Sequence, residues 1–459
     1  MSDETYDVIV IGAGPAGEVC AGRLAGEGLD VAIVERELVG GECSYYACMP
    51  SKALLRPGDL ADEVRRVPGV GLTDPPLQPE AILRRRDEVV HGRDDAAQLP
   101  WLEDRGVALI RGAARIDGER TVVADGRTLR ARRAVVLATG SGAALPPIPG
   151  LAAARPWTNR EATSADAVPA RLLILGGGVV GVEMAQAWSS LGAQVTVVEA
   201  AGRLIAREEP FASDQVAEAL RARGVDVRLA TKATAVRRDD RGVHLDLEDG
   251  ASVSGDELLA AIGRRPHTDE LGLEAVGLEP GGTVDVDDTL RVPGRDWLYA
   301  IGDVNGRALL THAGKYQARI AADTILGRDA AATADGPGSP RVVFTDPQVA
   351  AVGHTLASAE AAGLDVRAVD CPTAAVAGAS FHGRNAPGTA RLVVERERGT
   401  IAGATFTGPD VAELLHAATV AMVAAVPLSQ LVHAIPAFPT RSEVWLRLIE
   451  AYEDCTGAA

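Results

Sequence analysis

The sequence contains the same glycine-rich pattern twice, and each copy stands between two apolar runs. The first copy reads DVIVIGAGPAG from Asp7, and the second reads LLILGGGVVG from Leu172. In both copies the last glycine lies 18 residues before an acid that closes the second apolar run, VAIVE at Glu35 and VTVVE at Glu199. Strand, glycine turn, helix and strand in this order are typical of a dinucleotide-binding unit. We therefore predict two such units in one chain.

The spacing of the glycines suits the binding of a pyrophosphate. The first glycine permits a tight turn, the second lets the backbone approach the phosphates, and the third lets the helix pack on its strand. Glu35 and Glu199 are expected to accept hydrogen bonds from ribose hydroxyls. The alternative is a pair of glycine-rich turns that bind no ligand. The predicted cofactor-binding glycines are Gly12, Gly14 and Gly17 in the first copy and Gly176, Gly178 and Gly181 in the second.

Two cysteines follow the first copy, in GGECSYYACMPSK at residues 40–52. Cys43 and Cys48 are five residues apart, a spacing that a regular helix would strain to bridge with a disulfide. A loop or a distorted first turn, entered through the two glycines, meets the distance requirement. A helix N-terminus there is expected to lower a thiol pKa. Plain core cysteines are the alternative. Zinc binding is disfavoured because the other cysteines stand alone, at Cys20, Cys371 and Cys455.

Charge and hydropathy exclude several classes of protein. The net charge of −17 argues against nucleic acid or an anionic membrane as a partner. No apolar run approaches the roughly 20 residues that a membrane span needs. The first residues, MSDETYD, lack the apolar core of a signal peptide, so we expect a cytoplasmic protein. In the cytoplasm a redox-active cysteine pair is a better fit than a structural disulfide.

Further motifs complete an ordered set along the chain. C-x4-C-x-P-S-K follows the first glycine motif, ATGS stands at residues 138–141, AIGDV at 300–304, and PTxxE near the C-terminus. This set resembles the pyridine nucleotide-disulfide oxidoreductases, the flavoprotein family of dihydrolipoamide dehydrogenase, glutathione reductase and mercuric reductase. The resemblance covers essentially the whole chain. It implies FAD at the first site, NADH or NADPH at the second, and a redox-active Cys43–Cys48 disulfide.

The resemblance also implies an α/β fold with two Rossmann-like domains and a C-terminal α+β dimerisation domain. The expected FAD-binding domain is discontinuous, with residues 1–150 and 267–340, and the NAD(P)H-binding domain spans 151–266. Its last strand is expected to read ELLAAIGRRP, near residues 257–266. Residues 341–459 form the expected dimerisation domain, with strands such as ARLVVER and TIAGATF. A homodimer acting on a small molecule follows from this organisation.

Individual roles follow where residues match the family pattern. Cys48 matches the thiol that contacts the flavin, and Cys43 matches the thiol that meets the substrate. Lys52 matches the lysine beside the flavin N5 edge, and Glu183 matches its ion-pair partner; a solvated helix face is the alternative for Glu183. Asp303 matches the aspartate that binds the flavin ribityl chain, and a helix N-cap is its alternative.

Three further flavin contacts are expected. His312, in LLTHAG, is expected near the flavin pyrimidine, with a packing histidine as an equal alternative. Thr139 and Gly140, in ATGS, belong to the same predicted FAD site. At the second site Glu199 is expected to favour NADH, because it repels a 2′-phosphate, although Arg203 offers a cation nearby.

The chain departs from the family pattern at two places. Tyr45 and Tyr46 stand between the cysteines, where they either narrow the approach to the thiols or pack. In the family, a His-Pro-Thr-x-x-Glu dyad acts across the dimer with His as the base for the thiols. Here the segment reads FPTRSE, so Glu443 is present and Phe438 replaces the histidine. His433 lies five residues earlier, an unfavourable position for a replacement base.

The same change from His to Phe occurs in 2-ketopropyl coenzyme M oxidoreductase/carboxylase, where the apolar residue keeps protons from a carbanion. That enzyme shares the alanine before the second cysteine, here Ala47, but lacks the glutamate retained as Glu443. Its substrate is therefore not transferred to this chain. We expect Glu443 to be protonated or paired elsewhere, because an unpaired buried carboxylate is costly.

Three classes of function remain open. The first is an NAD(P)H- and FAD-dependent enzyme whose cysteine pair reduces a disulfide, a metal ion or an organic electrophile. The second is a flavin-centred diaphorase, quinone reductase or transhydrogenase that does not need the thiols. The third is an FAD-binding protein without enzymatic activity, which the complete second glycine motif and the intact cysteine pair disfavour.

Overall fold

The computed structural model describes residues 3–69, 73–384 and 386–456, with the backbone alone for Asp3 and Thr456. The chain divides into two compact units, each assembled from three segments. Unit 1 contains Met1–Pro50, Asp87–Ala144 and Gly263–Gly336, whereas unit 2 contains Ser51–Arg86, Leu145–Ile262 and Pro337–Ala459. Residues 51–86, which the sequence placed in the first domain, group with unit 2. The division into three domains therefore stays a prediction.

The strands of the described residues follow one another in chain order. They are β1 (Asp3–Ile11), β2 (Val31–Glu35), β3 (Ala108–Arg111), β4 (Ala114–Gly118), β5 (Thr121–Ala124), β6 (Arg127–Leu137), β7 (Ser141–Ala143), β8 (Arg171–Leu175), β9 (Gln194–Val198), β10 (Asp226–Arg228), β11 (Ala233–Asp239), β12 (Gly242–Leu247), β13 (Ser252–Gly255), β14 (Glu257–Ala260), β15 (Arg264–Pro266), β16 (Leu298–Ala300), β17 (Arg341–Val343), β18 (Gln348–Gly353), β19 (Val366–Pro372), β20 (Thr389–Glu395) and β21 (Thr400–Gly408).

The helices are of two kinds. The α-helices are α1 (Pro15–Gly26), α2 (Gly41–Tyr45), α3 (Cys48–Arg66), α4 (Pro79–Val89), α5 (Leu99–Glu103), α6 (Asn159–Ser164), α7 (Val179–Ser190), α8 (Pro210–Ala222), α9 (Thr311–Ile325), α10 (Leu356–Ala361), α11 (Leu415–Val423), α12 (Leu428–Leu431) and α13 (Val444–Thr456). The 3-10 helices are His91–Arg93, Leu273–Val276, Gly302–Asn305, Ala377–His382, Val411–Leu414 and Arg441–Glu443. Within the described residues, no helix is both long and apolar enough to span a bilayer.

The centre of unit 1 is a parallel sheet in the order β3-β2-β1-β6, with β16 paired to β6 and the antiparallel strands β5 and β4 beyond it. The middle of β1 is fully buried at Val8, Ile9 and Val10. Val8 pairs with Val31 of β2, and Val10 pairs with Val136 of β6. A continuous apolar run such as DVIVI suits this position, because a central parallel strand is covered on both faces.

Unit 2 contains a second parallel sheet in the order β10-β9-β8-β14. Its order repeats that of unit 1: the strand before the glycine loop lies in the middle, with the next two strands on one side and a later strand on the other. This is the strand order of a mononucleotide-binding half of a Rossmann fold. The prediction of two Rossmann-like units is confirmed.

The C-terminal part of unit 2 is an antiparallel sheet in the order β17-β18-β21-β20-β19. The predicted strands ARLVVER and TIAGATF correspond to β20 and β21. Phe406 on β21 is fully buried, and its ring centroid lies 5.7 Å from that of Trp445 on α13. An antiparallel sheet with helices packed on it is the expected α+β architecture, which is also confirmed.

The predicted strand over residues 257–266 is wrong. The chain forms β14 and β15 separately: β14 continues the parallel sheet of unit 2, whereas β15 pairs with β7 in unit 1. Between them Gly263 has a φ of 139°, a left-handed conformation that favours glycine. The apolar run of β14 continues past the end of the strand to Ile262, because that side chain is still packed against the core. Periodicity alone therefore does not reveal the turn.

Candidate functional site

The first glycine loop of unit 1 leaves no room for a side chain at two of its three glycines. Gly12 has a φ of 103°, and a Cβ there would lie 2.4 Å from the carbonyl oxygen of Ala138. A Cβ on Gly17 would lie 1.9 Å from the carbonyl oxygen of Gly12. At Gly14, in contrast, no described atom lies within 4 Å of the Cβ position. The loop is therefore closed at its first and third glycines and open at its second.

The loop of unit 2 repeats this geometry almost atom for atom. Gly176 has a φ of 106°, and its Cβ would lie 2.4 Å from the carbonyl oxygen of Ala261. A Cβ on Gly181 would lie 2.0 Å from the carbonyl oxygen of Gly176, and Gly178 is open. In each unit the open glycine caps a helix of 12 residues, α1 or α7, whose first N–H groups face that space. Both cradles fit the pyrophosphate of a dinucleotide.

The two predicted ribose-binding acids hold their own glycine loops. Glu35 accepts hydrogen bonds from the backbone N–H of Ala13 at 2.7 Å and of Glu37 at 2.8 Å. Glu199 accepts them from the N–H of Gly177 at 2.5 Å and of Ala201 at 2.6 Å. Each carboxylate oxygen keeps further lone pairs with which it can accept a hydroxyl. The role of these acids at a ribose stays a prediction, but their orientation towards the loops is fixed.

Cys43 and Cys48 are brought together by a break between two helices of unit 1. Cys43 lies in the short α2, which is capped by Gly40 and begins at Gly41, with φ values of 108° and 60°, and Cys48 is the first residue of α3. The two thiols are reduced and hydrogen-bonded to each other. Thr311 Oγ1 lies 3.4 Å from Cys48 Sγ and also bonds to Cys43. As predicted, the chain reaches the first cysteine through a distorted turn at two glycines, and this turn brings the two sulfurs into contact.

The surroundings of the pair raise the pKa of the Cys43 thiol. The hydrogen bond to Cys48 and then burial raise the pKa of the Cys43 thiol far above its ordinary value, whereas Thr311 and the charge of Lys315 lower it to a smaller extent. The expected lowering of a thiol pKa at this helix N-terminus does not hold for Cys43. Cys48, the other sulfur of the pair, is the residue that begins the helix.

Lys52 and Glu183 form a partly buried ion pair in unit 2. Lys52 Nζ lies 2.7 Å from Glu183 Oε2, and the Glu183 side chain is only 4% exposed. The other oxygen, Oε1, accepts the backbone N–H of Phe344 at 2.9 Å, and the ring of Phe344 lies 4.8 Å from Lys52 Nζ. A solvated helix face for Glu183 is therefore wrong. Lys52 shares α3 with Cys48 and follows it by one turn.

Asp303 lies in a polar cluster of unit 1. Ser141 Oγ donates a hydrogen bond to Asp303 Oδ2 at 2.5 Å, and Arg264 Nε lies 3.6 Å from the same oxygen. Asp303 caps no helix, because Ile301 precedes the 3-10 helix and Leu310 precedes α9. The N-cap alternative is therefore wrong, and the carboxylate remains a candidate for sugar hydroxyls.

The other predicted flavin contacts are placed in the same unit. Thr139 donates its hydroxyl to the carbonyl of His267 at 3.0 Å, and Gly140 accepts the N–H of His267 at the same distance. Both residues are thus held by the chain that returns from β15. His312 is exposed at the start of α9, so the packing alternative is wrong. Its contact with a flavin stays a prediction.

Phe438 is 78% exposed in unit 2, although it is among the most apolar side chains of its segment. Glu443 accepts the backbone N–H of Gly378 at 3.0 Å, so its carboxylate has a partner other than imidazole. Gly378 is packed against the same loop, because a Cβ there would lie 2.1 Å from the carbonyl carbon of Thr440. His433 is exposed.

The two tyrosines between the cysteines have different surroundings. Tyr45 is 1% exposed and packs beneath Gly40, and its hydroxyl has no hydrogen-bond partner among the described residues. Tyr46 is partly exposed, with the guanidinium of Arg93 6.0 Å from its ring centroid. Of the two interpretations, packing applies to Tyr45.

Comparisons with known proteins agree with this geometry. The family described as "Pyridine nucleotide-disulphide oxidoreductase" matches residues 6–318, and its dimerisation domain matches residues 339–449. The chain belongs to this family. Its members are NAD(P)H-dependent flavoprotein disulfide oxidoreductases that use FAD, so the predicted reaction class and cofactors are confirmed. The C-terminal segment is the family's dimerisation domain.

The names of individual relatives indicate different electron acceptors. Dihydrolipoyl dehydrogenase of Haloferax volcanii is 32% identical over 99% of this chain and 97% of its own length. Mercuric reductase of Shigella flexneri is 33% identical over 92% of this chain and 76% of its own. A solved Cu(II) complex of the HOCl-induced flavoprotein disulfide reductase RclA from Escherichia coli superposes with a TM-score of 0.86. It is 27% identical over 97% of this chain and 99% of its own.

Several residues of the site had no signal in the sequence. Thr311, Phe344 and Gly378 contact the predicted residues from segments far along the chain, and none stands in a motif that names its partner. Thr311 precedes His312 in LLTHAG, which is the only hint that its segment approaches the site. Arg264 lies beside Asp303, and this contact was not anticipated because Arg264 belongs to the segment that was predicted to be one strand.

The glycine geometry predicts opposite results for two similar substitutions. Gly14→Ala adds a Cβ in open space, so the protein should fold with an unchanged melting temperature and lose affinity for FAD. Gly17→Ala forces the Cβ into the carbonyl of Gly12, so stability should fall by about 1–3 kcal/mol, the usual cost of overpacking, and FAD binding should fall as well. Thermal melting and the ratio of FAD to protein measure the two effects. Equal loss of stability in both variants would contradict the assignment.

Proposed function

We propose that this chain is an NADH-dependent flavoprotein. Its Cys43–Cys48 pair reduces a small acceptor that binds to thiols, and it does so without an imidazole base at position 438. FAD supplies the two-electron chemistry between the nicotinamide and the cysteine pair when it is bound. The observation that carries the proposal is the contact between the two thiols at the N-terminus of α3.

The arrangement of the pair supports different roles for its two sulfurs. Cys48 is hydrogen-bonded to Cys43 and begins a helix of 19 residues, whose N-terminus favours negative charge. Cys48 is therefore the sulfur suited to hold a thiolate against a flavin, as the family pattern expects. Cys43 is then the sulfur that meets the acceptor. Lys52 and Glu183, joined at 2.7 Å, are suited to position the flavin and nicotinamide edges.

Phe438 favours a thiophilic metal ion over a disulfide as the acceptor. Reduction of a disulfide releases a thiolate that must receive a proton, and a phenyl ring at position 438 cannot supply it. A metal ion delivered as its complex with small thiols needs no proton donor at that position, because the displaced thiolates take up the protons that Cys43 and Cys48 release on binding the metal. The relatives include a mercuric reductase, and RclA has been solved as a Cu(II) complex. We therefore assign a soft metal ion, delivered as its complex with small thiols, to this site.

A comparison of acceptors tests the proposal. The wild-type protein should oxidise NADH with a Hg(II) thiol complex much faster than with lipoamide or glutathione disulfide. Phe438→His should raise turnover of lipoamide by about 10²–10⁴-fold, the scale of a positioned proton carrier, and should leave the metal reaction unchanged. Phe381→His is the matched control, because Phe381 is a similarly exposed ring in the same domain at 68%.

The alternative flavin-centred reaction makes a different prediction about the cysteines. Cys43→Ser and Cys48→Ser should abolish metal reduction. A long-wavelength thiolate-to-flavin absorbance band should appear in the wild type after two electrons and should be absent from Cys48→Ser, which lacks the thiolate beside the flavin. Full turnover by both serine variants would establish a diaphorase. Rapid wild-type turnover of lipoamide that Phe438→His does not change would contradict the role assigned to Phe438.

We also propose that the second site prefers NADH. Glu199 is fixed by two backbone N–H groups and places its negative charge at the end of β9, where it disfavours a 2′-phosphate. Arg203, the nearest following cation in the sequence, donates to the carbonyl of Ala206 at 2.6 Å. A cation held in this way is a poor ligand for a phosphate.

The preference is measured by the rate of flavin reduction. NADH should reduce the bound flavin faster than NADPH, and Arg203→Met should leave the ratio unchanged because Arg203 is engaged elsewhere. Glu199→Gln should narrow the ratio, since it removes the repelling charge and keeps the side-chain size. Rates more than tenfold in favour of NADPH would contradict the proposal.

We propose a cytoplasmic homodimer built through residues 341–459. Large apolar side chains are exposed on this segment, including Val423 at 74% and Ile435 at 86%, and a dimer interface would cover such side chains. Light scattering should give twice the mass of one chain. Val423→Glu and Ile435→Glu should lower that mass or weaken association, whereas Leu145→Glu, an exposed position outside the segment, should not. A monomer for the wild type would refute the assignment.

A further inference from the structure

The side chain of Gln317, on α9 of unit 1, is fully buried and hydrogen-bonded at both polar atoms of its amide. Its Oε1 accepts the backbone N–H of Gly302 at 2.7 Å and Nδ2 of Asn305 at 2.9 Å. Its Nε2 donates to Oδ2 of Asp335 at 2.9 Å. Because two donors face the oxygen and a carboxylate faces the nitrogen, the orientation of the amide is fixed. A buried network of this kind is costly to leave partly unpaired.

The two donors that Gln317 holds are the first and last residues of the 3-10 helix Gly302–Asn305. Asp303, the predicted ligand of the flavin ribityl chain, lies between them. Nδ2 of Asn305 also donates to the carbonyl of Ala300 at 3.0 Å, at the end of β16. One amide on α9 therefore fixes both ends of the short segment that carries the Asp303 carboxylate.

Close packing brings this segment to α9. A Cβ on Gly314 would lie 3.3 Å from the Cα of Gly302, so the absence of a side chain lets the two backbones approach. Gln317 follows Gly314 by three residues and therefore shares its helix face. Gly302 has a φ of 73°, and a Cβ there would lie 3.4 Å from the Cβ of Ala16 on α1. The segment thus lies where α9 meets the helix that begins at the open glycine cradle.

The acid that holds the amide nitrogen lies in the last part of unit 1. Asp335 is 2% exposed, and besides the amide of Gln317 it accepts Nε of Arg307 at 2.8 Å and Nη2 of Arg307 at 2.9 Å. Nη2 of Arg307 also lies 3.0 Å from the exposed Asp288. The backbone N–H of Arg307 donates to Oδ1 of Asn305 at 3.0 Å. The charge of Asp335 is thus paired, and the network returns to the same 3-10 helix.

We propose that Gln317 is a positioning residue of the FAD site, which holds the Asp303 carboxylate towards the ribityl hydroxyls through the two ends of its 3-10 helix. The hydrogen bond from Ser141 orients the carboxylate itself, whereas Gln317 orients the backbone that carries it. Asp335 keeps the amide from turning over. The proposal rests on the predicted role of Asp303 at the flavin and is independent of the acceptor that the cysteine pair reduces.

An isosteric substitution tests this role. Gln317→Glu keeps the size of the side chain and places a carboxylate against that of Asp335, so an attractive contact becomes a repulsive one. The full-length holoprotein is diluted at pH 8, and the fluorescence of the released flavin gives the dissociation constant for FAD. This constant should rise about tenfold or more, the scale of one lost buried hydrogen bond. An unchanged constant overturns the proposal.

A second substitution restores the hydrogen bond in the reverse direction. In Gln317→Glu/Asp335→Asn the new amide donates to the new carboxylate, which still accepts from the 3-10 helix. Asp335→Asn alone should weaken FAD binding, because its N–H group then faces another donor, either Gln317 or Arg307. The double variant should bind FAD more tightly than either single variant. A double variant that binds no better than Asp335→Asn overturns the proposal, and this comparison holds even where Gln317→Glu fails to fold.

Gln186 of unit 2 provides a matched control. It is 2% exposed, its Oε1 accepts the backbone N–H of Asp346 at 2.7 Å, and its Nε2 donates to Asp59 at 3.0 Å. Gln186→Glu should lower the melting temperature, as Gln317→Glu does, and should leave the affinity for FAD unchanged. Equal losses of FAD affinity in the two variants would reveal a general loss of stability and would overturn the role of Gln317.

A double-mutant cycle identifies the residue through which Gln317 acts. Asp303→Ala should weaken FAD binding, and in that background Gln317→Glu should cost little further affinity. Additive losses, or an unchanged affinity in Asp303→Ala, overturn the route through Asp303. If FAD binding follows these expectations while the cysteine pair reduces no metal complex, the proposed function is wrong and the role of Gln317 stands.

Discussion

The dinucleotide sites depend on one contact between backbone atoms, made twice. In each loop the third glycine lies against the carbonyl of the first, at Gly17 and Gly12 in unit 1 and at Gly181 and Gly176 in unit 2. This contact draws the first turn of the helix onto the end of the central strand. The N–H groups of that turn then point into the open space at the second glycine. Without the contact, the helix would begin farther from the sheet and the space would not form.

The parallel sheets could be predicted because one pattern determines them. A buried strand, three spaced glycines and an acid after 18 residues leave few other arrangements, and the same strand order appears in both units. The error over residues 257–266 has a physical cause. The apolar run continues to Ile262, next to the turn at Gly263, because that side chain still packs on the core. A pattern of apolar residues indicates which residues are buried, not where the chain changes direction. The run therefore does not show where the chain leaves its sheet.

Contacts of the site were predictable only where both partners stand in motifs. Lys52 and Glu183 each occupy a motif position, and they are joined in the structure. Thr311 reaches Cys48 from a helix 263 residues away in the chain, and nothing in its neighbours specifies that contact. The partner of Glu443 is a backbone N–H at Gly378, and a backbone group leaves no trace in the residue type of its partner. The close packing of Gly378 does require glycine, but a single glycine does not indicate which segment packs against it.

Position 438 is where this chain departs from the family pattern, which expects a histidine there. In our proposal the acceptor needs no imidazole at that position. The neighbours of the cysteine pair act on it in opposite directions: the hydrogen bond to Cys48 and burial raise the pKa of the Cys43 thiol, whereas Thr311 and the charge of Lys315 lower it. In the proposed reaction the path of the electrons follows the family arrangement, and the proton balance does not.

The hydrogen bonds of Glu199 couple the choice of nucleotide to the rigidity of the loop. In our proposal its carboxylate senses the 2′-substituent, and in the structure the same carboxylate accepts the N–H of Gly177. Replacing the acid to admit a phosphate therefore frees a backbone N–H inside the loop that holds the pyrophosphate. A substitution of Glu199 that changes the nucleotide preference would therefore also reduce the order of the glycine loop. Selection for a different nucleotide would have to act on the loop and the acid together.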